Sequence, residues 1–136
     1  MVKVIMGQKG SGKTKQIIDL INAAAGSENG NVVAIERKPT MTFDIHYKIR
    51  LVDSESYAVD TYEGMKGFIS GLYAGNYDIT HIFIDSLTKV IPGECDHQTE
   101  LFLDWLDAFS DKNGIKFTVA ITADESLASD GIKKYF

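Results

Sequence analysis

Apolar positions along the chain follow two periodicities, and their order predicts alternating strands and helices. Val2-Lys3-Val4-Ile5-Met6 is a short β-prone run that stops at Gly7. From Lys13 to Ala25 the residues Ile17, Ile18, Ile21, Ala24 and Ala25 recur at helical spacing, with Gly26 placed to end that helix. A polar loop, Ser27 to Asn31, leads into Val32-Val33-Ala34-Ile35, a continuous apolar run of the kind found in strands covered on both faces. Pro39 breaks the chain soon afterwards, because it lacks an N–H and biases Lys38 away from helix. Between Met41 and Asp53, Ile49, Leu51 and Asp53 alternate with Arg50 and Val52, which predicts an edge hairpin or a short edge strand.

The second half repeats the alternation. Asp60 to Gly75 predicts a helix with Asp60 as N-cap, Glu63 in a capping-box arrangement and Met65, Phe68, Ile69 and Leu72 on one face. Gly64, Gly67, Gly71 and Gly75 form a stripe beside that face; close packing on a sheet is one reading of it and a subunit contact the other. Ile82-Phe83-Ile84, preceded by Thr80-His81, is a strand run ending at Asp85. After a turn at Ile91 to Glu94, a helix from about Gln98 to Lys112 turns Leu101, Phe102, Trp105, Leu106 and Phe109 toward a core, and Asn113-Gly114 closes it. Phe117 to Ile121 is a further buried strand ending at Thr122, followed by a short helix from about Ser126 to Tyr135. This order predicts one domain over residues 1–136, a three-layer α/β/α sandwich with a mainly parallel sheet.

Composition narrows the function. With 136 residues, 44% of them hydrophobic, the chain carries enough apolar material for one core. Fourteen Lys+Arg against 19 Asp+Glu give a net charge of -5, so general nucleic-acid binding is not expected, although a local basic patch stays open. Cys95 is the one cysteine and reads as a structural thiol; no Cys/His cluster suggests zinc, and His46 has no partner at a metal-like spacing. Neither a signal segment nor a run of ~20 apolar residues appears, so a cytoplasmic location is expected and no membrane segment.

Gly7-Gln8-Lys9-Gly10-Ser11-Gly12-Lys13-Thr14 fits the template G-x-x-x-x-G-K-[ST] without a mismatch, between a strand and a helix. In that setting glycines let the backbone turn tightly and bring N–H groups against phosphate oxygens, and the helix start adds partial positive charge. Residues 7–15, Lys15 included, are the expected phosphate contacts; Lys13 would reach the β/γ-phosphates, and the Thr14 hydroxyl would ligate Mg²⁺. Asp85, at the carboxyl end of a strand expected to lie adjacent to that loop, is the expected second metal ligand. Glu36 follows a strand immediately, at the end where ligands of parallel sheets bind.

These motifs resemble those of the P-loop NTPases. More narrowly, the chain is similar to a group of short bacterial ATP-binding proteins that are sometimes linked by label to the retraction ATPases of twitching motility. Those motors are far longer and share little beyond the loop, so the resemblance implies nucleotide binding and not motor activity. By resemblance to the RecA-related branch, Glu36 is a candidate to polarise the attacking water, its alternative being a solvated strand-end carboxylate. Thr122 is a candidate γ-phosphate sensor on a strand inserted beside the loop strand. Ser86 stands where many active ATPases carry Glu, which leaves open a slow ATPase or a non-hydrolysing, ATP-dependent interaction module. A small-molecule kinase is less favoured because the chain has only Arg37 and Arg50 to furnish a lid. Expected partners are ATP and ADP, with a second copy or another protein left open.

Overall fold

All five strands run parallel, so their carboxyl ends share one rim of a single sheet. The computed structural model describes residues 1–136. The strands are β1 (Val2–Gly7), β2 (Asn31–Glu36), β3 (Arg50–Asp53), β4 (Ile79–Ile84) and β5 (Lys116–Thr122), in the order β1-β5-β4-β2-β3. The helices are α1 (Lys13–Ser27), α2 (Tyr62–Gly75), α3 (Leu87–Val90), α4 (His97–Asn113) and α5 (Asp130–Lys133).

The continuous apolar runs of β2, β4 and β5 follow from coverage on both faces. Val33, Ile35, Ile82, Ile84, Phe117 and Val119 belong to one buried cluster, with Met65 and Ile69 of α2 and Phe102, Leu103 and Leu106 of α4. The alternate positions Val32, Ala34, Phe83 and Ala120 form a second cluster with Ile17, Ile21 and Ala24 of α1. The period of two along each strand therefore sorts side chains between the helices on either face, and the layers are helix, sheet, helix. No helix is long and apolar enough to cross a membrane.

Several boundaries differ from the sequence expectations for local reasons. Helix α1 runs through Gly26 to Ser27, and Glu28 caps it by donating its N–H to the Ala24 carbonyl at 2.9 Å. Helix α2 begins after Thr61, not Asp60: the Thr61 hydroxyl accepts from the Gly64 N–H at 3.0 Å, and Glu63 pairs with Lys66 instead of closing a capping box. The capping box of the molecule lies at α4, where Asp96 and Thr99 bond reciprocally. Leu101 turns outward on that helix. β3 is a single edge strand parallel to β2, without a hairpin partner. The helix expected from Ser126 to Tyr135 shrinks to a 3-10 turn and the four-residue α5. Close packing on the sheet does not explain the α2 glycines, since a Cβ at Gly67, Gly71 or Gly75 would meet nothing within 4 Å.

Candidate functional site

Residues 7–12 leave β1 at the sheet's carboxyl rim and turn into α1. Gly10 and Gly12 both have φ +86°, a left-handed conformation that costs an L-residue roughly 1–2 kcal/mol. Gly7 is constrained by space, because a Cβ there would lie 2.5 Å from the Ser11 Oγ. The turn is closed by the Ser11 N–H donating to the Gln8 carbonyl at 3.1 Å. No side chain caps the start of α1, and its first turn holds no carboxylate, so its leading N–H groups and partial positive charge face the loop mouth. Gln8, Ser11, Lys13 and Gln16 line a cleft of about 400 Å³ there, with Asp124 and Glu125 opposite.

The sheet brings further residues to this rim. Thr122, half-buried, ends β5 directly across from Gly7, and the next N–H, of Ala123, donates to the Gly7 carbonyl at 3.1 Å. Asp85 follows β4 and is tied to β2 through its N–H, which donates to the Ile35 carbonyl at 2.9 Å. β5 stands between β1 and β4, so Asp85 does not end the strand next to the loop strand as the sequence reading assumed.

Glu36 is buried, 3% exposed, which overturns its reading as a solvated strand-end carboxylate. Its Oε1 accepts from both the N–H and the hydroxyl of Thr40, at 2.7 and 2.8 Å, and its Oε2 is buried with no partner. Burial raises the Asp85 carboxyl above its ordinary range, and the neighbouring Glu36 raises it further; a hydrogen bond from Ser86 and the charges of Lys89 and Lys13 act the other way. Asp85 thus lies within electrostatic reach of both Glu36 and Lys13.

Other expected contacts are not gathered in. Lys9 and Thr14 are exposed, and Lys15 leans along α1 to Asp19 at 3.6 Å. One residue of this rim leaves no signal in the sequence. Thr40 lies four positions beyond Glu36, and only the burial of Glu36 reveals what it holds. Ser86, beside Asp85, adopts φ +52°, uncommon for a non-glycine and of a kind that gathers at functional sites.

No three His, Cys, Asp or Glu side chains converge to hold a metal by themselves. The donor set that exists, with the half-buried Asp85 and the unpartnered Glu36 Oε2 on neighbouring strand ends, fits a hard cation that takes only one or two protein carboxylates and draws the rest of its shell from phosphate and water. The rim therefore offers amide donors and a lysine to an anion, and oxygen donors to a cation. Comparison with protein-family models and with curated proteins finds no match to this chain.

Proposed function

We propose that residues 7–14 are the phosphate-binding loop of a P-loop nucleotide-binding protein, and that the chain binds ATP with Mg²⁺ and hydrolyses it slowly to ADP and phosphate in the cytoplasm. The observation that carries this reading is the uncapped start of α1 behind two left-handed glycines, with Lys13 inside the field of Asp85 and Asp85 inside that of Glu36. On this reading the fold is a minimal one of the RecA-like branch, β5 being the strand inserted beside the loop strand.

The chemistry asked of the protein is chiefly positioning and charge stabilisation. Loop amides and Lys13 would hold the phosphates, and the Thr122 hydroxyl would donate to the γ-phosphate. Mg²⁺ bound with the nucleotide, held by Thr14 and Asp85, would neutralise charge on the β- and γ-phosphates. The free oxygen of Glu36 would take a proton from water as the water oxygen bonds to the γ-phosphorus and the bond to the bridging oxygen breaks, leaving ADP. Lys13→Ala should abolish tight ATP binding in titration calorimetry with Mg²⁺ present. An unchanged affinity in that variant, or no binding by the wild type, would overturn the reading.

A second reading is favoured by one observation. Thr40 occupies Glu36 Oε1, and Ser86 stands beside Asp85 where a second carboxylate would speed hydrolysis. A non-hydrolysing module whose partner or oligomeric state changes with bound ATP would suit that arrangement. Single-turnover assays of the wild type beside Glu36→Gln separate the two.

A further inference from the structure

The connection from β2 to β3 gathers four cations of an acidic protein into one short exposed segment. Over residues 37–50, Arg37, Lys38, Lys48 and Arg50 against the single Asp44 give +3, which leaves -8 for the rest of a chain whose total is -5. All four cations are exposed, and none is among the molecule's ion pairs, which lie elsewhere.

The same segment presents two aromatic rings outward. Met41 and Ile49 are buried and Ile45 half-buried against the α1 face of the sheet, and the intervening Phe43 and Tyr47 are 101% and 85% exposed. The His46 ring stacks on Tyr47 with centroids 4.5 Å apart. The segment is held in shape from α1: the Asn22 side chain donates to the Asp44 carbonyl and accepts from the His46 N–H, each at 2.8 Å. Rings this exposed contribute little to folding and leave their surfaces available to a partner.

We propose that this face is a docking surface for single-stranded nucleic acid, with Phe43 and Tyr47 as stacking platforms and the four cations as phosphate contacts. Two features favour nucleic acid over an acidic protein segment. Exposed rings, one face of Tyr47 being covered by His46, stand in the chain between two pairs of exposed cations, the combination that suits bases strung on a phosphate backbone. The pairs are also spread out: Arg50 lies opposite Val33 while Arg37 follows Glu36, a separation of about 13 Å along the sheet at ~3.3 Å per residue. Beyond that end, Lys48 and Arg50 line a groove of about 430 Å³ with Gly71, Gly75 and Asn76, which extends the track across the sheet edge. The proposal does not rest on ATP binding.

The test is fluorescence anisotropy of the full chain with a labelled oligothymidylate of about 15 nucleotides, within the range such surfaces cover, and with a labelled polyglutamate peptide of equal length. The oligonucleotide should bind, more weakly as salt rises, and more tightly than the peptide. Phe43→Ala with Tyr47→Ala should weaken it about tenfold or more, from the loss of two stacking contacts. Independently, Lys48→Gln with Arg50→Gln should reduce the slope of log affinity against log salt by about 1.4, at ~0.7 per phosphate contact on a single strand. Failure to bind the oligonucleotide would overturn the proposal. So would equal or tighter binding of polyglutamate, which would assign the face to an acidic protein, or ring variants that bind like wild type at an unchanged melting temperature.

Discussion

Thr40 places two hydrogen bonds on one oxygen of Glu36, the N–H at 2.7 Å and the hydroxyl at 2.8 Å, and so leaves the other oxygen of a buried carboxylate without a partner. The arrangement fixes the carboxylate's orientation. Thr40→Val removes one donor and should lower stability by about 1–2 kcal/mol, read from the denaturant midpoint. Glu36→Gln should keep ATP affinity within a few-fold and reduce turnover about 10²–10⁴-fold, the usual contribution of a general base. A Glu36→Gln protein that turns ATP over at the wild-type rate would remove Glu36 from the chemistry.

Burial, and then the neighbouring Glu36, hold the Asp85 carboxyl above its ordinary value. An acid whose folded value is raised binds more protons folded than unfolded, so its contribution to stability falls as pH rises from its unfolded value of 3.8 through the folded one. At neutral pH its ionised form is a cost. Asp85→Asn should therefore raise the melting temperature of the nucleotide-free protein at pH 7 by a few degrees, the scale of a ~1 kcal/mol change, and the gain should vanish near pH 4. The same variant should lose the Mg²⁺ dependence of ATP binding. A lower melting temperature at pH 7 would show that ionised Asp85 stabilises the fold instead.

The alternation of strands and helices and their layering could be read from the sequence because the apolar runs of β2, β4 and β5 are long enough to require two covered faces; the order across the sheet, which sets β5 between β1 and β4, could not. The tight turn between β1 and α1 was equally legible, since Gly7, Gly10 and Gly12 answer local demands of space and backbone conformation. What escaped was non-local. The reach of Thr40 back to Glu36 crosses Pro39 and leaves no periodic trace. The spacing of the α2 glycines left sheet packing and a subunit contact both open, because spacing gives an angular position on a helix without saying which way that side faces. Asp60 and Thr61 are both good caps, and one residue of register decided between them.

The glycines now divide by backbone conformation, which gives two substitutions of opposite sign. Gly12 has φ +86°, so Gly12→Ala should cost about 1–2 kcal/mol of strain and disturb the loop, whatever the space around it. Gly67 and Gly71 lie inside α2 with open space where a Cβ would stand, so alanine at both should stabilise the protein by about 1–2 kcal/mol together through helix propensity. Urea denaturation of the two variants checks both signs. A destabilised Gly67→Ala, Gly71→Ala protein in dilute solution would mean that this face is covered by something the isolated chain provides.

His81 supplies a pH dependence remote from the carboxyl rim. Its ring stacks on Phe83 with centroids 4.0 Å apart, and its Nε2 is 2.9 Å from the Thr118 hydroxyl. Burial lowers its pKa to about 4, with Lys116 acting in the same direction and Glu28 against it. A histidine depressed in this way binds fewer protons folded than unfolded between its unfolded value of 6.5 and about 4, so stability rises with pH across that window. Acidification from pH 7 to 4 should remove about 2–3 kcal/mol through this residue alone, the order set by 1.36 kcal/mol per pKa unit. The effect should be isolated by comparing denaturation of wild type and His81→Leu at several pH values. The variant loses the Thr118 contact and starts less stable at pH 7, yet its stability should fall less steeply down to pH 4; parallel curves would place the acid sensitivity in other groups.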